Sequence, residues 1–212
     1  MPRQERAERT RQRLVQAAAT EFSRRGYGGT SLMRVSKAAG VTMGALAFHF
    51  PSKIELANVI YADGAAATRA AVARVDERDQ TPLQSVIDIT YGLARLLMED
   101  PTVRAAGRLS QEVTMVRANW TDSWMPRVRQ LLQQAGRRNL LRPQAEPELV
   151  ALLVRYLVSG LEIAARADGG CPADPRRLGA IWDMLLPGIA YGPELLHTDS
   201  PTDRRTDSPT GW

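Results

Sequence analysis

The sequence predicts an all-α protein of about nine helices, with a small N-terminal helix-turn-helix head and a larger helical body. Apolar residues recur every three or four positions along most of the chain, which is the spacing of a buried helical stripe. Capping residues and prolines divide this pattern into segments of ordinary helix length. No segment reads convincingly as a strand. The expected divisions are the head (1–53), the body (54–190) and a disordered tail (191–212).

The head begins with one long helix. Residues 1–8 are expected to form a mobile basic arm, and the helix is expected to run from about Glu8 to Arg25. Its buried side is marked by Leu14, Ala18 and Phe22. The glycine-rich segment 26–29 is expected to break it, because glycine is a poor helix former.

Residues 30–53, TSLMRVSKAAGVTMGALAFHFPSK, read as two short helices joined by a tight turn. Thr30 is expected to cap the first helix, whose buried stripe consists of Leu32, Val35 and Ala39. Gly40 stands where a helix must end in a left-handed residue. Thr42 is expected to cap the second helix, Met43 to Phe50, which Pro51 and Ser52 end. This is the layout of a helix-turn-helix, whose second helix enters the major groove of DNA.

The body is predicted from caps, prolines and apolar spacing. Ser52 is expected to cap a helix that reaches about Val75, with Glu55 completing a capping box, and residues 76–81 read as a loop. Further helices are expected from Pro82 to Met98, Val103 to about Val116, Trp120 to Asn139, Glu148 to Arg166 and Arg176 to about Ile189. The Glu148–Arg166 helix is apolar on nearly every face and must be covered on both sides. The tail repeats TDSPT and is polar and proline-rich, so it is expected to be disordered.

Positive charge is concentrated at the N-terminus. Residues 1–53 contain ten Lys or Arg and three Asp or Glu, a net charge of +7, whereas the whole chain carries +5, which leaves −2 for residues 54–212. A basic head on a slightly acidic body favours nucleic acid as the partner of the head.

Composition argues against several other classes of protein. No apolar run is long enough to span a membrane, and the N-terminus has no secretory h-region. The single cysteine, Cys171, allows no intrachain disulfide, so a cytoplasmic location is expected. With two distant histidines and no hydrolase, metalloprotease or phosphate-loop motif, we expect neither an enzyme nor a metal site nor a cofactor.

The second short helix carries a family resemblance. The segment VTMGALAFHFPSK resembles the TetR-family pattern V-T-x-G-A-L-Y-x-H-F-x-S-K over a head of about sixty residues. The resemblance implies a transcriptional regulator whose head binds DNA. Ala47 stands where many members have a tyrosine that often contacts phosphate, so that contact is lost or moved here.

Candidate DNA-binding residues follow from position and chemistry. The cap hydroxyl of Thr42 would point at phosphate, Gly44 would let the backbone approach DNA, and Met43 would touch a thymine methyl. Each has a plain alternative, since Thr42 caps its helix in any case, Phe48 would also pack on the head, and the polar members would also be ordinary solvated residues. The full set is Thr42, Met43, Gly44, Ala47, Phe48, His49, Lys53, Ser31, Arg34 and Lys37.

A narrower resemblance concerns the effector. The segments RQERAERTRQRLVQAAATEF, GALAFHFPSK and RAAGRLSQE followed by a tryptophan resemble γ-butyrolactone receptors and their pseudo-receptor relatives. The resemblance implies regulators of antibiotic production that release DNA on binding a lactone, a butenolide, a furan or an antibiotic. Trp124 best matches the pocket tryptophan of that subgroup, and Trp120 is the alternative. The candidate ligand-binding residues are Trp124, Trp120, Tyr91, Gln111, Met115, Tyr156 and Glu162, all of which would otherwise be core.

The expected function is a homodimeric, ligand-responsive repressor that binds a palindromic double-stranded operator. The last two helices would pair with their symmetry mates. Glu162, a carboxylate in an apolar run, would bind a ligand hydroxyl or pair with an arginine across the dimer seam. The alternatives are a pseudo-receptor that answers to an antibiotic or to no ligand, and an architectural DNA-binding protein. A body without a cavity of roughly 300 Å³ would favour the last.

Overall fold

Nine α-helices make up most of the residues that the computed structural model describes, which are 2–113, 119–166 and 175–191. The helices are α1 (Pro2–Gly29), α2 (Leu32–Ala39), α3 (Met43–His49), α4 (Lys53–Asp76), α5 (Pro82–Glu99), α6 (Pro101–Glu112), α7 (Met125–Arg137), α8 (Pro147–Ala164) and α9 (Pro175–Ile189). A 3-10 turn, Trp120–Ser123, precedes α7. Within these ranges, extended pairing is confined to a single antiparallel bridge between Leu141 and Ala190. The all-α prediction is confirmed, and the predicted tail lies outside the described residues apart from Tyr191.

Helix α1 begins earlier than predicted and is interrupted where predicted. It is helical from Pro2, so the expected mobile arm is wrong, and residues 4–9 are Gln, Glu, Arg and Ala, which are good helix formers. At the other end the predicted break is confirmed, because Gly26 is non-helical, with φ 72° and ψ 179°, and a short further stretch of helix follows this kink to Gly29.

Two predicted helices of the body have different bounds. Helix α6 begins at Pro101, because the Asp100 carboxylate caps it by accepting the Thr102 N–H at 2.7 Å, and it ends at Glu112. The helix expected from Trp120 to Asn139 is two elements. Asn119 and Asp122 form a capping box around the 3-10 turn, and Trp124 then leaves helical geometry with φ −138° before α7 starts.

The head and the body have separate cores that share two helices. The head core contains Phe22, Val35 and Leu46 of α1–α3, but it also takes in Leu56 of α4 and Leu109 of α6. The body core draws on α4 and α6 as well and continues into α5, α7, α8 and α9. Head and body are therefore joined through packed helices rather than through a linker.

The crossing of α4 and α6 is unusually close. A Cβ added to Gly64 would lie 2.6 Å from the Cβ of Ala106 and 2.7 Å from the carbonyl oxygen of Thr102, so only glycine fits between the two helices.

None of the described helices combines the length and the apolar character that crossing a lipid bilayer would require.

Candidate DNA-binding and effector sites

The helix-turn-helix forms largely as the local signals predict. Gly40 adopts left-handed geometry, with φ 63° and ψ 40°, and its N–H closes the end of α2 on the carbonyl of Lys37 at 3.1 Å. Thr42 caps α3, its hydroxyl accepting the Ala45 N–H at 3.2 Å. The predicted cap of α2 is wrong by one residue. Ser31 accepts the Arg34 N–H, while the Thr30 hydroxyl is buried and donates to the carbonyl of Gly26 at 2.8 Å.

Helix α3 presents one exposed face. Its inward side chain, Leu46, is fully buried in the head core. Phe48 is 79% exposed and Met43 is 42% exposed, and Thr42, Gly44 and Ala47 are exposed beside them. The structure therefore brings the candidate DNA-binding residues of α3 together on one solvent-facing surface. Phe48 does not pack into the head.

Two further DNA-binding candidates, Lys53 and His49, already make contacts within the head. The Lys53 ammonium donates to the carbonyl oxygens of Tyr27 at 2.8 Å and of Thr30 at 3.0 Å, and it lies 4.1 Å from the centroid of the Tyr27 ring. An ammonium has three N–H donors, so at most one remains for a phosphate. His49 is half-buried and packs edge-on against the Phe48 ring, with centroids 5.2 Å apart.

The α2 candidates lie at the surface. Ser31, Arg34 and Lys37 are exposed, and the Arg34 guanidinium is 3.8 Å from the Glu21 carboxylate. Sequence reasoning missed Met33, a 70% exposed apolar side chain on the same helix. The sequence does contain a signal for this exposure: Met33 lies two residues before the buried Val35, which places it on the opposite side of the helix.

Two arginines of α1 contact the C-terminal ends of α2 and α3. Arg13 donates to the carbonyl of Ala39 at 2.6 Å, at the end of α2. Arg11 lies over the ring of Phe50, 5.5 Å from its centroid, at the end of α3. Part of the positive charge of the head therefore holds the motif in place.

Both candidate pocket tryptophans lie in the body core. Trp120 and Trp124 are each 2% exposed, and their ring centroids are 6.1 Å apart. The indole N–H of Trp120 donates to the Thr68 hydroxyl at 2.9 Å. Among the described residues the indole N–H of Trp124 meets no acceptor, although it is buried. An unpaired buried donor is costly, so an acceptor placed at this N–H would be favourable.

Gln111 and Glu162 do come together, between α6 and α8. The Gln111 amide donates to both carboxylate oxygens of Glu162 at 3.2 Å, and Arg166 pairs with the same carboxylate. Within the chain, the arginine partner of Glu162 is Arg166, two residues beyond the end of α8, so the carboxylate already has a cation without the expected pairing across a dimer seam. Gly107 provides the space, since a Cβ there would overlap the carboxylate. Burial raises the pKa of Glu162, an effect that Arg166 and Gln111 partly oppose.

The remaining candidates do not join the tryptophans in one site. Tyr156 is 64% exposed on the outer side of α8. There it lines a groove of about 320 Å³ together with Leu149, Leu152, Leu153 and Ile189. Tyr91 is buried, with its hydroxyl against Gly179 of α9, and burial raises its pKa. Met115 lies outside the described residues.

Comparison with known proteins agrees with this architecture. A family model described as bacterial regulatory proteins of the tetR family matches residues 14–60, and one described as Tetracyclin repressor-like, C-terminal domain, matches residues 80–191. The A-factor receptor protein of Streptomyces griseus is 30% identical over 200 residues, which cover 93% of this chain and 70% of that protein.

Solved structures extend the likeness to three dimensions. A crystal structure of a γ-butyrolactone receptor, an ArpA-like protein, matches with a TM-score of 0.75 and 31% identity, covering 95% of this chain and 93% of that one. CprB of Streptomyces coelicolor in complex with its biological operator sequence matches with a TM-score of 0.73 and 32% identity, covering 88% and 90%. The chain belongs to the TetR family of bacterial transcription regulators, with a helix-turn-helix DNA-binding domain at its N-terminus and a Tetracyclin repressor-like domain behind it.

Proposed function

We propose that the chain is a homodimeric repressor that binds a palindromic operator and releases it on binding a small signalling molecule of the γ-butyrolactone, butenolide or furan type, thereby controlling antibiotic-production genes. The observation that carries the DNA-binding part is the exposed face of α3. Large apolar side chains rarely lie exposed together without a partner, and here they follow a cap whose hydroxyl and free backbone amides suit phosphate.

The contacts proposed for α3 divide by chemistry. Thr42, Gly44 and the start of the helix would meet the phosphate backbone, whereas Met43 and Phe48 would make apolar contact with thymine methyls in the major groove. Phe48 would then supply the contact area that Ala47 lacks. The operator complex of CprB supports this placement by analogy.

A second exposed apolar surface supports the dimer. The outer side of α8 and α9 exposes six large apolar side chains, which are Leu149, Leu152, Tyr156, Ile163, Ile181 and Met184. On α8 these recur every three, four or seven residues and so share one face. Packing against the same surface of a second copy would cover them and would set the distance between two heads at roughly 34–36 Å, one turn of DNA. Leu161, in contrast, is half-buried against its own core.

The effector site is proposed around Trp124. An apolar ring would stack on a lactone and its alkyl tail, and the unpaired indole N–H would donate to a ligand oxygen. In this conformation both tryptophans are covered, so the proposed pocket requires the surrounding helices to open. The 320 Å³ groove lies at the proposed dimer surface instead. The γ-butyrolactone receptor structure, 31% identical over 95% of the chain, supports a lactone-like effector.

One experiment tests both parts of the proposal. DNA selected by the purified protein from a random pool is used in a gel shift, and the complex is challenged with a panel of γ-butyrolactones, butenolides and furans. We expect a palindromic sequence and release by at least one compound. The Trp124→Ala variant should still bind the operator but should fail to release it, and Trp120→Ala is the matched comparison. If a compound releases the Trp124→Ala variant from the operator at the same concentration that releases the wild type, Trp124 is a core residue alone.

A further inference from the structure

One peptide segment of α1 is held simultaneously by the body and by the start of α4. At the Gly26 kink, the N–H of Tyr27 donates to a carboxylate oxygen of Glu112, in the last turn of α6, at 2.7 Å. The carbonyl of the same residue, Tyr27, accepts the Lys53 ammonium at 2.8 Å. Tyr27 therefore links α6 to the first residue of α4, four positions after α3 ends.

On the α6 side of this link, several groups hold the Glu112 carboxylate in place. The second oxygen of Glu112 accepts from Arg108 at 2.5 Å, and Arg108 also reaches the carbonyl of Ser23 at 3.3 Å. Gly26 has a positive φ, and a Cβ there would overlap the Glu112 carboxylate. The backbone of α1 is therefore shaped around this carboxylate in both conformation and space.

On the α4 side, Lys53 makes the link. Its ammonium joins the carbonyls of Tyr27 and Thr30, which both lie just before α2, and its position is fixed further by the Tyr27 ring. Through Lys53, the segment held by Glu112 is tied to both ends of the helix-turn-helix. The last turn of α6 is thus linked by hydrogen bonds to the segments that precede and follow the motif.

We infer that Glu112 is a positioning residue, which fixes the angle of the DNA-binding head on the body through the Tyr27 peptide and Lys53. The inference rests on the proposed binding of a palindrome by a dimer. Two rigidly held heads recognise only one separation of half-sites, because that separation is set by protein geometry. Heads whose angle is loosened tolerate other separations, at the cost of ordering on binding.

The test measures affinity for the selected operator and for versions with one or two base pairs inserted between the half-sites. The variants are Glu112→Ala and the conservative Glu112→Gln, which keeps an acceptor for the Tyr27 N–H but loses the ion pair with Arg108. Asp76→Ala is the matched control, because Asp76 also pairs with an arginine, Arg127, at 2.6 Å, but this pair joins α4 to α7 within the body. The two carboxylates are similarly exposed, at 34% and 37%.

We expect the wild type and Asp76→Ala to lose about tenfold or more in affinity on insertion, Glu112→Ala to lose about threefold or less, and Glu112→Gln to fall between. A role in stability alone would weaken binding to all operators by the same factor, and that result would overturn the inference. Wild-type spacing dependence in Glu112→Ala would overturn it too, leaving the proposed function intact. A wild-type protein that binds no palindrome would instead refute the proposed function together with this inference.

Discussion

The substitution Gly44→Glu separates the stability of the head from its binding to DNA. Gly44 is the second residue of α3 and is exposed, and among the described atoms the nearest to an added Cβ is the Thr42 hydroxyl, at 4.0 Å. Replacing a helical glycine by glutamate gains about 0.5 kcal/mol in helix propensity. A carboxylate at the positive end of a helix gains about 0.3–1 kcal/mol more. We therefore expect the variant to be as stable as the wild type or slightly more stable.

The same carboxylate would oppose DNA. In the proposed complex it faces phosphate at the point where the backbone of α3 comes closest, so each head loses a favourable contact and gains a repulsive one. At roughly 1–2 kcal/mol per head, a dimer loses about 2–4 kcal/mol, or roughly 30- to 1,000-fold in affinity. The charge change also shifts the salt dependence, because fewer counterions are released.

Two assays check this reasoning. Thermal unfolding reports stability, and titration of a labelled operator reports affinity. Gly92→Glu, which places the same side chain on α5 of the body where a Cβ meets no described atom within 4 Å, is the matched control and should bind normally. An affinity within threefold of the wild type would show that the start of α3 does not approach DNA. A midpoint several degrees lower would show that Gly44 is packed, and the loss of binding would then be indirect.

Three other predictions concern the salt dependence, the dimer and the buried carboxylate. Operator affinity should fall steeply between low and physiological salt, because the head carries +7 and binding releases counterions; a flat response would argue against DNA as the partner. Met184→Glu, at a side chain that is 75% exposed on α9, should leave the monomer folded but abolish the dimer in sedimentation, whereas the same change at Met98, on α5 outside the proposed interface, should not. For Glu162, whose pKa is raised by burial, the folded state holds the proton more tightly than the unfolded state, so this group adds stability as the pH falls toward its ordinary pKa and loses it as the pH rises. The free energy of unfolding of the wild type relative to Glu162→Gln should therefore increase from pH 7 to about pH 5, and an unchanged difference would contradict the burial argument.

The helix-turn-helix was predictable because its signals are local. Gly40 and Thr42 determine the turn through their own backbone and side-chain chemistry, and the structure confirms both. The cap of α2 was harder, because Thr30 and Ser31 are adjacent hydroxyl residues of similar capping strength. The Gly26 kink decides between them by presenting its carbonyl to Thr30.

Several site residues were harder to predict, because what they contact is not set by the local pattern alone. Lys53 fits a phosphate contact by sequence, but its ammonium is bound by carbonyls of residues 23 and 26 positions earlier. Tyr156 satisfies a helical pattern equally well whether α8 faces a pocket or a second protein molecule, and periodicity alone does not distinguish the two. Glu162 was predicted correctly as a buried carboxylate, but its partner Arg166, two residues beyond the end of α8, was not considered. Trp120 and Trp124 lie close together because the 3-10 turn Trp120–Ser123 ends directly before Trp124.

The sharing of α6 between the two cores limits how this regulator can be recombined with others. The head core is completed by Ala105, Leu109 and Val113, more than forty residues beyond the end of the first family match at residue 60. A chimera joined at that point would place the head against a foreign α6 and would leave Leu56 and Ile60 without their native packing partners. Exchange of DNA specificity between such regulators therefore requires either transfer of the matching face of α6 with the head or changes confined to the exposed side of α3.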